Sequence, residues 1–96
     1  MSVVEVTSFT LAHGANEDSF LALDRRVQTE LIPNQPGFMR RTTARRGERW
    51  VVVTLWGTED AAAAFEAASF DHPIQVEFDG HLETGSVEIH RYDTLD

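Results

Sequence analysis

The chain has 96 residues, a formal net charge of −8 at pH 7, and neither cysteine nor lysine. Its length predicts one domain over residues 1–96. Without cysteine there are no disulfides, thiolate nucleophiles or cysteine metal sites, and without lysine there is no Schiff-base chemistry. The negative charge argues against nucleic acid and anionic membrane surfaces as partners.

The amino-terminal residues lack the basic and apolar regions of a signal peptide. No apolar run approaches the ~20 residues of a membrane span. We therefore expect a cytoplasmic protein. The use of arginine in place of lysine, with abundant alanine, is typical of a GC-rich bacterial genome.

The first half of the chain predicts a strand followed by a helix. Residues 3–11 are rich in β-branched side chains, which favour a strand. Asn16 is a favourable N-cap for the helix, whose first turn is acidic. Four apolar residues then recur at helical spacing and form one stripe: Phe20, Leu23, Val27 and Leu31. Pro33, Pro36 and Gly37 end this helix.

A β-hairpin and a second helix follow. Residues 38–46 and 49–56 are extended runs joined by a short turn, which predicts the hairpin. Thr58 is the predicted N-cap of an alanine-rich helix that includes Phe65.

The end of the chain completes the predicted topology. Residues 70–73 break the second helix, residues 74–78 fit either a helical turn or a loop, and residues 86–92 predict a fourth strand. The order β-α-β-β-α-β predicts an α+β, ferredoxin-like fold. It would have one four-stranded antiparallel sheet with both helices on one face.

The third strand predicts a covered second face. Successive strand residues point to opposite faces, and we expect the wholly apolar set to meet the helices: Val51, Val53 and Leu55. The other set includes Trp50 and Trp56, each able to bury about 150–250 Å². So much apolar surface is seldom left in water, which predicts a homodimer with Trp50 in its interface. The alternative is that residues 70–85 or the carboxyl terminus cover this face.

Two local patterns resemble those of a known family. The first is the turn Gln35-Pro36-Gly37-Phe38, followed by an arginine-containing strand. The second is residues 51–61, VVVTLWGTEDA, a strand that ends in tryptophan and opens a helix through a small polar cap. Together with the order of elements they resemble the antibiotic biosynthesis monooxygenase family of the dimeric α+β barrel superfamily.

The resemblance implies a homodimeric barrel with a pocket between each sheet and its helices. It also implies one of several activities, since the family includes cofactor-independent oxygenases of quinols and polyketide aromatics, haem-degrading enzymes, and proteins without a known reaction. The haem-degrading members use an asparagine, a tryptophan and a histidine. Thr7 and Phe65 stand at the first two positions, and only His72 could match the third. We therefore expect no haem, and no cofactor of another kind. The histidine spacing also predicts no metal site.

Two residues are candidates for catalysis. His72 could act as a general base near neutral pH. Alternatively it is a helix C-terminal histidine favoured by the helix dipole. Arg41 could stabilise a developing anion, or it is one of several strand arginines paired with acids.

Four further aromatic residues are candidates for ligand or partner contacts. Trp56 and Phe65 could line a pocket for a flat aromatic molecule, or could simply pack in the core. His90 and Tyr92 lie on the same strand face, opposite Val87 and Ile89, and are predicted to face the partner sheet. There they would bond across the interface or orient a phenolic ligand.

The resemblance implies a cofactor-independent monooxygenase-like protein that acts on a small aromatic or quinol compound. The alternative is a dimer of the same fold that binds a small ligand without chemistry, or that is purely structural. Fold does not decide between them.

Overall fold

Residues 1–95, which the computed structural model describes, form a four-stranded antiparallel sheet covered on one face by three α-helices. The strands are β1 (Val3–Phe9), β2 (Phe38–Arg46), β3 (Arg49–Trp56) and β4 (Glu88–Asp93), in the sheet order β2-β3-β1-β4. The helices are α1 (Glu17–Arg26), α2 (Glu59–Ser69) and α3 (Pro73–Gly80). This is the predicted ferredoxin-like α+β fold, with α3 added where residues 74–78 had fitted either a helix or a loop.

The helices begin at the predicted caps. The Ser19 N–H donates to Asn16 Oδ1 at 2.8 Å, and the Ala61 N–H donates to Thr58 Oγ1 at 3.1 Å. Each bond satisfies one of the amide groups that a helix start leaves unpaired. Helix α1 continues into a π-helical turn, Val27–Leu31, and a 3-10 turn, Ile32–Asn34, so the helical segment passes Pro33 and ends before Pro36 and Gly37.

The prediction of which face of β3 meets the helices was wrong. Trp50 is 6% exposed and Trp56 is 0% exposed, and both point toward the helices with Val52 and Thr54. Val53, on the opposite face, is 36% exposed. Both sets of β3 residues are apolar, so polarity could not decide the face.

Side-chain volume accounts for this orientation. Helix α2 is rich in alanine and leaves space above the sheet for the Trp56 ring, while Trp50 packs against Phe20 of α1. The Trp50 ring lies 5.0 Å from that of Phe20, and the Trp56 ring lies 5.3 Å from that of Phe65, measured between centroids. Dense packing of the interior therefore requires the indoles inside.

The outer face of the sheet still carries an apolar stripe, made of other residues than predicted. Its middle consists of Val4, Val6, Val51, Val53 and Leu55. His90 and Tyr92 lie beside it on β4, paired with Val6 and Val4. Tyr92 is 58% exposed. Trp50 is absent from this face, which corrects its predicted place in a dimer interface.

Candidate functional site

A cavity of about 420 Å³ lies between the helix-facing side of the sheet and the ends of α2 and α3. Its floor is made of short side chains in the middle of the two central strands: Glu5 and Thr7 on β1, and Val52 and Thr54 on β3. The two tryptophans fill the layer at either end of β3. The shorter residues between them leave the space open.

The walls of the cavity are mixed. Apolar side chains come from α3, from the segment that follows it and from β4: Phe78, Leu82, Val87 and Ile89. Polar groups are contributed by Arg41, Ser69 and Asp79, among others. A cavity with apolar walls and a few polar groups is the usual form of a small-molecule site.

Arg41 lies in the cavity wall, where it already has a counter-ion. It is 8% exposed, and its Nη2 atom donates to Asp24 Oδ1 at 2.8 Å. Its Nη1 atom donates to Gln28 Oε1 at 3.3 Å, and its guanidinium lies 5.9 Å from the Phe78 ring centroid. Thr43 also donates to Asp24 Oδ1. Arg41 is therefore held in place, with its charge matched.

Arg91 ties α2 to the sheet at the edge of the cavity. Its Nε donates to Glu5 at 2.7 Å and its Nη2 donates to Glu66 at 2.8 Å, with Glu59 at 3.8 Å. The bond to Glu5 is the main cause that raises the pKa of Arg91 above its ordinary value. The sequence did not reveal this group, because Glu5 and Arg91 become neighbours only through the pairing register of β1 and β4.

Asp79 is the carboxylate of the cavity with a perturbed pKa. Partial burial raises that pKa above its ordinary value, and the hydrogen bond from Gln75 Nε2 at 2.9 Å acts in the opposite direction. An acid with a raised pKa is a better general base toward a weakly acidic substrate. Asp79 was missed because no helix was assigned to residues 74–78. A helical pairing of Gln75 with Asp79 at i,i+4 was the available signal.

His72 lies at the start of α3 and does not line the cavity. Its Nδ1 atom accepts a hydrogen bond from the Ile74 N–H at 3.2 Å, so it serves as the N-cap. The alternative prediction, a histidine at a helix C-terminus, is corrected by the presence of α3. Within residues 1–95 no histidine lines the cavity.

Trp56 and Phe65 do not line this cavity either. Trp56 packs between Phe38 and Phe65, and its Nε1 atom is buried without a hydrogen-bond partner. Phe65 contacts both apolar clusters of the core and borders a smaller hollow of about 320 Å³ beside Gly37. The structure thus places both residues in core packing.

Residues 1–95 contain no group of three or more histidine, aspartate or glutamate side chains that could hold a metal ion. In the same residues no helix has the length and apolar character needed to cross a membrane.

Comparison with known proteins relates the chain to a set of solved structures. No protein-family model matches it, and no curated protein matches it. SnoaB, a cofactor-independent oxygenase from Streptomyces nogalater, superposes with a TM-score of 0.81 at 20% identity, over 99% of this chain and 94% of SnoaB. A Bordetella bronchiseptica protein provisionally named an antibiotic biosynthesis monooxygenase gives 0.81 at 16% identity, over 98% and 97%. The fold is that of the antibiotic biosynthesis monooxygenases.

A further solved structure, from another organism, has the same fold. A conserved protein from Methanosarcina mazei has a TM-score of 0.78 at 14% identity, over 96% of this chain and 91% of its own. The predicted resemblance to the antibiotic biosynthesis monooxygenases is therefore confirmed for the fold. Identities this low carry no residue roles from one protein to another.

Proposed function

We propose that this chain is a cofactor-independent monooxygenase-like enzyme that oxidises a small aromatic or quinol compound in the cavity beside Asp79. The observation that carries the proposal is the cavity itself. It combines a volume of about 420 Å³, walls of mixed polarity and a carboxylate of raised pKa. The activity named for SnoaB, which has the same fold, supports the same reaction class.

The chemistry requires little from the protein beyond a base and a dry pocket. Removal of a proton from an activated methylene, or from the ring CH₂ of a quinol in its keto form, gives a carbanion that can transfer an electron to dioxygen. Recombination forms a C–O bond, and the resulting peroxide loses water, so that CH₂ and O₂ become C=O and H₂O. Both electron pairs come from the substrate, which is why no cofactor is needed.

Asp79 is the proposed base, in preference to His72, because it lines the cavity and His72 does not. For the developing oxyanion we propose the hydroxyl groups of Thr54 and Ser69, both buried in the cavity lining. Hydroxyl donors fixed in position around the reacting group can stabilise such a charge by several kcal/mol. Arg41 would position neighbouring groups, since Asp24 already matches its charge.

We further propose that two copies associate through the outer face of the sheet. The stripe defined above is flanked by arginines on β2 and β3 and by Glu88 on β4. A two-fold axis would bring opposite charges together at the rims and bury the valines between them. Arg49 and Glu88 lie 3.5 Å apart within one protomer, so Arg40 and Arg46 are the arginines of this face that we propose for contacts with the partner.

The second candidate is a dimer of the same fold that binds a small ligand without chemistry. It is favoured by the position of Arg41, which is neutralised, and by the absence of histidine from the cavity lining in residues 1–95. It predicts ligand binding without oxygen uptake.

Oxygen uptake with anthrone and with substituted hydroquinones, in the presence of a chelator, tests the proposal. We expect turnover that falls about 100-fold in Asp79→Asn, since a positioned base contributes about 10²–10⁴-fold. Glu77→Gln, an exposed acid on the same helix, is the control and should retain the full rate. Binding of these compounds without oxygen uptake would favour the second candidate.

A further inference from the structure

We infer that the cavity selects uncharged or cationic aromatic compounds and rejects carboxylates and sulfonates of the same shape. As a statement about the substrate, this rests on the proposed function. As a statement about binding, it rests on the charges in the cavity wall alone.

The charge of Arg41 is cancelled by that of its partner Asp24. Arg41 is the one basic residue in the lining of residues 1–95, and its ion pair with Asp24 at 2.8 Å leaves no net charge. An incoming carboxylate would have to compete with a buried partner that also accepts a hydrogen bond from Thr43. Displacing such a partner leaves a buried charge unmatched and is costly.

The remaining carboxylates outnumber the cations. Glu5 and Glu66 both line the cavity and share one arginine, Arg91. Asp79 and Glu83 accept hydrogen bonds from uncharged groups, Gln75 at 2.9 Å and Thr10 at 2.5 Å. The wall therefore carries a clear excess of negative charge, and an anionic ligand would meet repulsion at each side.

The helix ends act in the same direction. Ser69 and Phe70, at the carboxyl end of α2, both line the cavity, and neither α2 nor α3 has a basic residue in its last turn. The carbonyl end of a helix carries a partial negative charge, which attracts cations and repels anions.

The other arginines of β2 and β3 are not placed to compensate. Those of β2 and β3 that flank the stripe, Arg40, Arg46 and Arg49, lie on the opposite face of the sheet. Arg45 is paired with Glu17 and packs over the Trp50 ring. Residues 57–96 contain ten acids and one arginine, so the field around the cavity mouth is negative as well.

Three naphthalene compounds of the same shape test the inference: 2-naphthol, 2-naphthoate and 2-naphthylmethylamine. Their dissociation constants are measured by displacement of N-phenyl-1-naphthylamine fluorescence at low ionic strength. A unit charge at about 8 Å in a medium of effective dielectric about 20 contributes about 2 kcal/mol, which changes affinity about thirtyfold. We expect naphthol and the amine to bind at least about tenfold tighter than naphthoate.

The double variant Glu66→Gln/Glu83→Gln should reduce the ratio of the naphthoate to the naphthol dissociation constant at least threefold. It keeps Asp79 and the Glu5–Arg91 pair. The control Glu48→Gln/Glu77→Gln removes the same charge from residues outside the cavity lining and should leave the ratio unchanged. Equal or tighter binding of naphthoate to the native protein, or no binding of any of the three, would overturn the inference.

The outcomes also separate the inference from the proposed function. Selective binding of naphthol without oxygen uptake on any quinol contradicts the enzymatic proposal and leaves the inference standing. Faster oxidation of carboxylated quinols than of neutral ones supports an enzyme and overturns the inference.

Discussion

The Gly57 N–H donates a hydrogen bond of 2.7 Å to the Gly37 carbonyl, which joins the turn before β2 to the turn after β3. The two sequence patterns that resemble the antibiotic biosynthesis monooxygenases thus meet in space. Gly37 has a φ of +82°, and a Cβ atom there would lie 2.5 Å from the Cβ of Ala61 in α2. The turn can approach the helix this closely because the residue is glycine.

Gly37→Ala should therefore destabilise the fold by more than its backbone angle alone requires. A left-handed conformation costs a non-glycine residue about 1–2 kcal/mol. We expect at least ~1 kcal/mol more from displacement of α2. Gly14→Ala is the matched control, since Gly14 has the same φ and nothing within 4 Å of the added Cβ. Equal losses in urea unfolding would show that the contact with Ala61 is harmless.

Trp56→Phe should cost less free energy of unfolding than Trp50→Phe, although Trp56 is the more buried. The Nε1 atom of Trp56 is buried without a partner, a penalty of about 1–3 kcal/mol that phenylalanine removes. Trp50 makes an edge contact with Phe20 and lies under the Arg45 guanidinium at 5.0 Å. A larger loss in Trp56→Phe would mean that the unpaired N–H is offset by packing.

Arg91→Met should destabilise the protein by about 1–3 kcal/mol, because Glu5 and Glu66 would face each other without their shared cation. Glu5→Gln in the Arg91→Met background should recover part of that loss in a double-mutant cycle. Arg26→Met breaks the exposed pair with Glu30 and should leave the urea midpoint nearly unchanged. Additive effects of the two substitutions on the free energy of unfolding would show that Arg91 and Glu5 are not coupled.

Asp79→Asn should be as stable as the native protein at pH 7 or slightly more so, by less than about 1 kcal/mol, since solvent screens a partly exposed charge. Because the folded-state pKa is raised, the folded protein binds the proton before the unfolded chain does. The stability of the native protein therefore rises toward that of the variant as the pH falls through the folded-state pKa to the ordinary value of 3.8. Below that value the difference in stability between the two proteins has closed. A gap that widens in acid would contradict the direction of the shift.

Val53→Arg should convert the proposed dimer into a folded monomer. Val53 lies in the middle of the outer stripe, and an arginine there would place two like charges across the two-fold axis. Val76→Arg is the control, since Val76 is 52% exposed on α3, away from the sheet. Sedimentation that gives the same mass for both variants and the native protein would exclude this interface.

The sequence was sufficient for the local elements and insufficient for the contacts between them. Helix caps at Asn16 and Thr58 depend on neighbours within three residues, so their pattern is visible in the chain. Which face of β3 turns toward the helices depends on how much space the helices leave above the sheet. The alternation of two mostly apolar sets of residues along the strand does not reveal that space. Register across β1 and β4 likewise brings Glu5 to Arg91 from 86 residues away.

The candidate site shows the same limit. Arg41 was predicted as an anion stabiliser, and the structure places it in the cavity wall with Asp24 as its partner. That partner comes from α1, and no spacing along the chain relates the two residues. Asp79 enters the site because residues 73–80 form a helix. A helix of only eight residues is difficult to predict from its sequence pattern.

The inward orientation of both indoles separates the optical signals of this molecule. Tryptophan emission comes from two buried rings and should shift to longer wavelength when the chain unfolds. It should not change when two protomers associate through the outer sheet face. Tyr92 is the sole tyrosine of the sequence, and it stands on the outer sheet face. Its ultraviolet difference spectrum on dilution can therefore report the proposed association separately from folding.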